Sequence, residues 1–290
     1  MLLHIFRLAR PAQWVKNSVV LAALVFAGAI RDTAKAELAV AAAAIFCVLS
    51  SAIYIFNDLI DRNKDKAHPL KKDRPIASGA VSPTTAIFMI VILLAIGLFA
   101  AQLLNPSFLL VAVGFVAVNA LYTLLLKDIV ILDAMTLALS FVVRAYAGAA
   151  AIDVPASKWM LINTLLLALF LGFGKRRHEL VLLENDAHTH RKSLSNYSPY
   201  LLDQLIGVTT ASVVVMYMLY TFSTEVSQKL GTENLYLTIP FVVYGIFRYL
   251  YLIHRKAEGG SPTRALFADK PLLATVILWL VTAILVLYHA

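Results

Sequence analysis

The sequence predicts an all-α polytopic membrane protein of about nine transmembrane helices with a cytoplasmic N-terminus. Three observations carry this. Of the 290 residues, 60% are hydrophobic and only 14% are charged, against about 25% charged in soluble domains. The apolar residues fall into runs close to the roughly 20 residues that cross a bilayer. Lysine and arginine crowd one side of the implied membrane, as the positive-inside rule requires.

The runs place helices over 15–31, 37–60, 83–104, 108–126, 129–151, 157–175, 200–223, 235–254 and 271–288. Each must be helical, because backbone groups in hydrocarbon have to be satisfied internally. The first run follows Arg7, Arg10 and Lys16; it reads as a retained helix rather than a cleaved leader, since everything after it is also membrane-embedded. The second ends in a group of acids. Pro83 opens the third, Asn105-Pro106 divides it from the fourth, and Pro155, Pro199, Gly231 and Pro271 mark the later breaks.

With the N-terminus inside, twenty of the 25 Lys and Arg residues lie in inner segments. Arg31, Lys35, Lys158 and Lys229 lie outside, and Arg144 falls within a span. The net charge of +8 therefore reflects orientation, not a nucleic-acid surface. Cys47, the single cysteine, excludes a disulfide framework or cysteine metal cluster within the chain. The whole of 1–290 reads as one transmembrane domain, with long inner loops 61–82 and 175–199 capping the site. These loops recur at an interval of four helices, the pattern of a duplicated four-helix unit plus a ninth helix.

The candidate site begins where helix 37–60 ends. Asp58, Asp61 and Asp65 are spaced i, i+3, i+7 and share one narrow face; Asn57 lies one turn below Asp61. Converging carboxylates repel unless a cation sits among them, and oxygen-only ligands favour a hard ion such as magnesium. Asn57, Asp58, Asp61 and Asp65 are thus the expected metal ligands. Downstream, Arg74 precedes Pro75 and Gly79, which fix a turn, and its guanidinium suits phosphate oxygens. Lys71 and Lys72 are equally well read as ordinary inner-loop charge.

Other polar residues are candidates for substrate contact. Lys16 and Asn17 open the first helix at the inner interface, and Tyr122 and Lys127 flank the turn near residue 128, where Lys127 also fits simple charge bias. Arg144 needs a partner or a wet cavity. Counted from residue 129 at about 1.5 Å per residue, it lies about 22 Å deep. Lys175, Arg176, Arg177 and Arg191 make the second long loop cationic. Glu179 either holds a second magnesium or orients an arginine.

The N-D-x-x-D-x-x-x-D pattern at 57–65, followed by R-P-x-x-S-G at 74–79, resembles the UbiA-type intramembrane transferase superfamily. The resemblance covers the whole chain and implies nine helices and magnesium-dependent chemistry on a diphosphate donor. Most members move a prenyl group to an aromatic acceptor and carry a second D-x-x-x-D motif. Here Gly174-Lys175-Arg176-Arg177-His178-Glu179-Leu180 stands in that place. With Arg10-Pro11-Ala12-Gln13-Trp14-Val15-Lys16-Asn17 and Arg144-Ala145-Tyr146-Ala147-Gly148, this looks like the branch that transfers phosphoribose to polyprenyl phosphate.

That branch implies phosphoribosyl pyrophosphate as donor, a polyprenyl-phosphate acceptor and a multi-pass protein of the bacterial inner membrane with its site facing the cytoplasm. It implies Asp58, Asp61 and Arg74 as the catalytic group; a homo-oligomer stays open. Extra cations would screen the donor's diphosphate, its 5-phosphate and the acceptor phosphate from one another. The alternatives are a prenyltransferase with an aromatic acceptor and, from another class, a secondary transporter of an anionic metabolite.

Overall fold

The structure is a computed structural model that describes residues 2–67, 71–183, 192–255 and 260–288. The described residues form helices and turns, and the chain divides into two compact units, Met1–Ala156 and Ser157–Ala290. Eight helices among the described residues are long and apolar enough to cross a membrane, four in each unit.

Unit 1 runs α1 (Leu2–Ala9), a 3₁₀ segment (Pro11–Leu21), α2 (Ala22–Phe26), α3 (Thr33–Ile60), α4 (Arg62–Ala67), α5 (Pro83–Leu104), α6 (Pro106–Leu124), a 3₁₀ turn (Leu126–Asp128) and α7 (Leu132–Ala151). The predicted breaks are helix starts with a shared chemistry. Ser82 accepts from Thr85 N at 3.1 Å and Asn105 from Phe108 N at 2.7 Å, each followed by proline at the first helical position. Side-chain capping satisfies an orphan amide, and proline has none to satisfy.

The first expected helix, 15–31, is built differently. Residues 11–21 wind as a 3₁₀ helix and the α-helical part ends at Phe26. In 3₁₀ geometry residues three apart eclipse, so Asn17 and Val20 fall on one line; both are buried, as is Ala23 in the first turn of α2. α7 lies against that line. Its Arg144 meets Asn17, and one turn on, Gly148 sits against the Val20 carbonyl, with no room for a Cβ. Polar Gln13, Lys16, Asn17 and Ser18 break the apolar pattern that a 3.6-residue repeat would need. Gly148→Val is expected to destabilise the protein by about 3 kcal/mol by overpacking, read as a lower melting temperature of the detergent-solubilised chain. An unchanged melt would contradict this close approach.

Phe46, Phe108 and Phe115 form the aromatic centre of unit 1, with ring centroids 5.7 Å and 4.8 Å from Phe46. The turn into α7 is tight: Leu132 N donates to Val130 O at 2.8 Å around Ile131, whose φ is 69°. A β-branched residue at positive φ is strained. α7 therefore starts at Leu132, three residues later than the pattern suggested.

Unit 2 runs α8 (Lys158–Leu183), a 3₁₀ turn (Lys192–Asn196), α9 (Pro199–Thr221), α10 (Thr224–Leu230), a 3₁₀ turn (Asn234–Thr238), α11 (Ile239–Arg255), α12 (Pro262–Ala268) and α13 (Lys270–Tyr288). α8 extends well past the expected end at 175. Lys175 and Arg176 pair with Glu179 at i, i+4 and i, i+3, spacings that support helix, so the Lys175–Leu180 stretch is helical rather than loop. At the far end, Trp279 Nε1 donates to Tyr217 OH at 2.8 Å, and that hydroxyl lies 2.7 Å from Thr238 Oγ1. Arg248 grips Asp269 with two hydrogen bonds of 3.0 and 2.8 Å, while Asp269 accepts from Leu272 N at the start of α13. Arg248, expected as inner-loop charge, therefore ties α11 to α13.

Candidate active site

The predicted acidic ligands Asp58, Asp61 and Asp65 stand at the end of α3 and in α4. Asp61 caps α3 and its amide still donates to Asn57 O at 2.9 Å; Asp65 N donates to Asp61 O at 2.8 Å. The near-continuous helical register keeps Asp58, Asp61 and Asp65 on one side, as their spacing predicts. Asp58 is 2% exposed and Asp65 3%. Burial pushes the Asp65 carboxyl above its ordinary value, against the opposing pull of the neighbouring Arg74 guanidinium.

Three cations meet these three carboxylates. Arg74 Nη1 donates to Asp58 Oδ1 at 3.0 Å and to Asp65 Oδ2 at 2.7 Å. Lys127 Nζ donates to Asp61 Oδ1 at 2.5 Å, and Arg10 Nη2 donates to Asp58 Oδ1. The repulsion among the carboxylates is thus relieved by side chains of the protein itself. Arg74 is held by a tight turn in which Ser78 N donates to Arg74 O and Val81 N to Pro75 O. Gly79 has φ 81° there, and Ile76 is sunk among Leu8, Ile55, Val81 and Ala86.

Arg10 was legible only as part of a motif, not as a site residue. Its backbone is left-handed, with φ 51° and ψ 58° at the junction of α1 and the 3₁₀ segment. That turn carries its guanidinium to Asp58 and over the Tyr54 ring, 5.4 Å from the centroid. A basic residue before proline near the N-terminus looks like any positive-inside charge; nothing local marks its partner 48 residues on.

The donor set fits magnesium by chemistry. Asn57 Oδ1, which accepts from Thr123 Oγ1 at 3.4 Å, and the three carboxylates offer oxygen only. Among the described residues no three His, Cys, Asp or Glu side chains gather as a metal cage. Magnesium needs no such cage, since it takes one or two carboxylates and completes its shell with water and substrate phosphates. The site therefore suits an ion that arrives with a diphosphate.

The remaining candidates of unit 1 divide. Lys71 is half-buried and its charge acts on Asp65. Lys16 and Tyr122 are half-buried too. Arg144, only 4% exposed, donates through Nε to Asn17 Oδ1 at 2.9 Å and through Nη1 to Ser140 O and Oγ at 3.1 and 2.9 Å. Its guanidinium also lies 4.6 Å from the Phe115 ring centroid. Arg144 and Asn17 thus hold α7 to the 3₁₀ segment.

In unit 2, Arg176 is 1% exposed and donates to Glu179 Oε2 at 2.5 Å, while Lys175 lies 3.8 Å from Oε1. Both Glu179 oxygens face cations. Arg177 Nε donates to Asp203 Oδ1 at 2.5 Å, and His254 Nε2 stands 3.2 Å from the same oxygen. The sequence reading passed over Asp203 and His254, which lie 51 residues apart. Arg191 lies outside the described residues.

The UbiA prenyltransferase family matches residues 18–270. The chain is 32% identical, over 96% of its length and 90% of the relative's, to a protein of Mycolicibacterium smegmatis named decaprenyl-phosphate phosphoribosyltransferase. It is 33% identical to one of the same name from Mycobacterium tuberculosis, over 94% of this chain and 90% of that protein. Its fold is similar to that of a UbiA homolog from Archaeoglobus fulgidus, solved with GPP and Mg2+, at a TM-score of 0.71 and 18% identity over 98% of this chain and 99% of that one. With a family match over residues 18–270, and with eight helices among its described residues long and apolar enough to cross a membrane, the chain belongs to the UbiA prenyltransferase family.

Proposed function

We propose that this protein transfers 5-phosphoribose from phosphoribosyl pyrophosphate to a polyprenyl phosphate, releasing pyrophosphate, at the cytoplasmic face of the bacterial inner membrane. The observation that carries this reading is the cationic end of α8. Where a prenyl-transferring member is expected to bring a second pair of metal-binding aspartates, α8 has Lys175, Arg176 and Arg177, and its one acid there, Glu179, is already engaged by Lys175 and Arg176. A donor with a 5-phosphate as well as a diphosphate asks for those extra cations. The mycobacterial relatives are named for transfer of a phosphoribosyl group to decaprenyl phosphate, which supports the same transferred group and acceptor class.

Asn57, Asp58, Asp61 and Asp65 would hold magnesium, which supplies Lewis-acid neutralisation of the departing pyrophosphate. Arg10, Arg74 and Lys127 exchange carboxylate partners for diphosphate oxygens as the donor enters, so the acids become available while the cluster stays balanced. The bond from ribose C1 to the pyrophosphate oxygen breaks with its electron pair leaving on pyrophosphate. An acceptor phosphate oxygen then forms the new bond to C1. That oxygen is already anionic at neutral pH, so no side chain has to remove a proton.

The test is a donor and acceptor screen on the purified full-length protein, with mass analysis of the lipid product. Phosphoribosyl pyrophosphate with polyprenyl phosphate and magnesium is expected to yield a lipid heavier by one phosphoribosyl group, and chelation is expected to abolish it. Consumption of a prenyl diphosphate, with none of phosphoribosyl pyrophosphate, would replace this reading with the prenyltransferase one.

A further inference from the structure

The acids at the end of α3 are closed off by the cations that pair with them, and one of those cations stands on a strained backbone. Arg10, Arg74 and Lys127 set three positive charges against Asp58, Asp61 and Asp65. A divalent ion approaching the bare protein therefore meets no net negative charge from this group. Access is closed as well. Asp58 is almost wholly buried, while the two guanidiniums that pair with it are each about a quarter exposed, so the cations meet water and the acid does not.

Arg10 is the member built to let go. Arg74 reaches Asp58 and Asp65 together, from a turn closed by backbone hydrogen bonds. Arg10 pairs with the Asp58 carboxylate from φ 51° and ψ 58°, a left-handed conformation uncommon outside glycine. The next residue is Pro11, whose ring pushes the residue before it toward extended backbone. Two local preferences thus oppose the backbone that Arg10 adopts, and such strain persists only where the surroundings over-determine it. The Asp58 pair holds it, with backbone bonds from Arg10 N to Arg7 O at 3.2 Å and from Gln13 N to Arg10 O at 2.8 Å. Leu8 holds it too, sunk in one cluster with Ile55, Ile76 and Val81. Strain gathers at this site: among the described residues the non-glycines at positive φ are Arg10, Ile131 and Asp153, and Ile131 follows Lys127, another of the pairing cations, by four residues.

We propose that Arg10 is a strained latch on the acidic site. In the donor-free protein its guanidinium keeps a divalent ion off Asp58. A diphosphate frees the acid by taking the guanidinium, and Arg10 relaxes toward extended backbone. Metal binding then depends on the anion, and the two enter together. The inference rests on the reading of Asn57, Asp58, Asp61 and Asp65 as metal ligands, but not on which diphosphate is the donor.

The test titrates Mn2+, which suits the same oxygen ligands as magnesium, into the purified full-length protein in detergent, with binding read by electron paramagnetic resonance. Without any anion, Arg10→Gln is expected to bind Mn2+ about tenfold more tightly than wild type, because a positive charge beside the acids is gone. Pro11→Ala keeps every charge and removes the push toward extended backbone, so the latch holds more firmly and Mn2+ binding is expected to weaken about threefold. Lys72→Gln, which removes an exposed charge of the same inner loop, is expected to change nothing. In saturating pyrophosphate the gap between wild type and Arg10→Gln is expected to close. Circular dichroism checks folding, and Pro11→Ala carries the test if Arg10→Gln does not fold. Unchanged affinity in Arg10→Gln, equal or tighter binding in Pro11→Ala, an equal gain in Lys72→Gln, or a gap that persists in pyrophosphate would each overturn the latch alone. No Mn2+ binding to any of these proteins, with or without pyrophosphate, would remove the metal reading and the latch with it.

Discussion

Asp61→Asn is expected to cut magnesium-dependent transfer by about 10²–10³-fold, the range seen when one electrostatic contributor to a transition state is removed. Asp61 is the most accessible of the three carboxylates, 19% exposed as a side chain, against 2% for Asp58 and 5% for Asp65. It is therefore the acid best placed to meet an incoming ion, with Asn57 one turn behind it. The amide keeps the size and an acceptor oxygen for Lys127 but not the charge. Initial rates across a magnesium titration check this: the loss should persist at saturating metal, in protein that still elutes as a single folded species. A wild-type rate would remove the acidic cluster from the mechanism.

Asp58→Asn is expected to damage fold and activity together. Asp58 accepts from both Arg10 and Arg74 while almost wholly buried. Breaking a buried pair by removing one partner is destabilising by about 3–5 kcal/mol; Arg10 and Arg74 are about a quarter exposed, and water reduces this to about 2–3 kcal/mol. The melting temperature should fall further than for Asp61→Asn. Adding Arg74→Gln to Asp58→Asn should cost less than the two single changes summed, since the guanidinium has already lost one partner, and it should restore no activity. Strict additivity in this double-mutant cycle would show that Asp58 and Arg74 do not act as a pair.

Where the sequence was legible, a local cause produced a local effect. Ser82-Pro83 and Asn105-Pro106 carry cap and first-turn residue together, so the helix starts could be read to within a few positions. The acids at 58, 61 and 65 could be placed on one face because helical register is a property of spacing alone. What stayed hidden depends on contacts distant in sequence. Arg10 finds Asp58, Arg144 finds Asn17, and Arg177 and His254 both find Asp203. Arg10 and Arg177 have an ordinary explanation as interfacial charge until their partners are known, while Arg144 announced the need for a partner without saying which. The end of α8 was misplaced for a related reason: a run of charges looks like a loop unless its own i, i+3 and i, i+4 pairs are counted.

The overwound start of the chain sets a distance. Eleven residues at about 2.0 Å of rise, against about 1.5 Å in an α-helix, make Pro11–Leu21 roughly 5 Å longer than its α-helical equivalent. α7 anchors this stretch through Asn17 and Val20, while Arg10 sits at its free end. Unwinding or tightening by a few residues would slide that guanidinium along the axis by ångströms, enough to break its grip on Asp58. The N-terminal stretch thus works as a spacer whose pitch decides whether the first arginine reaches the acids.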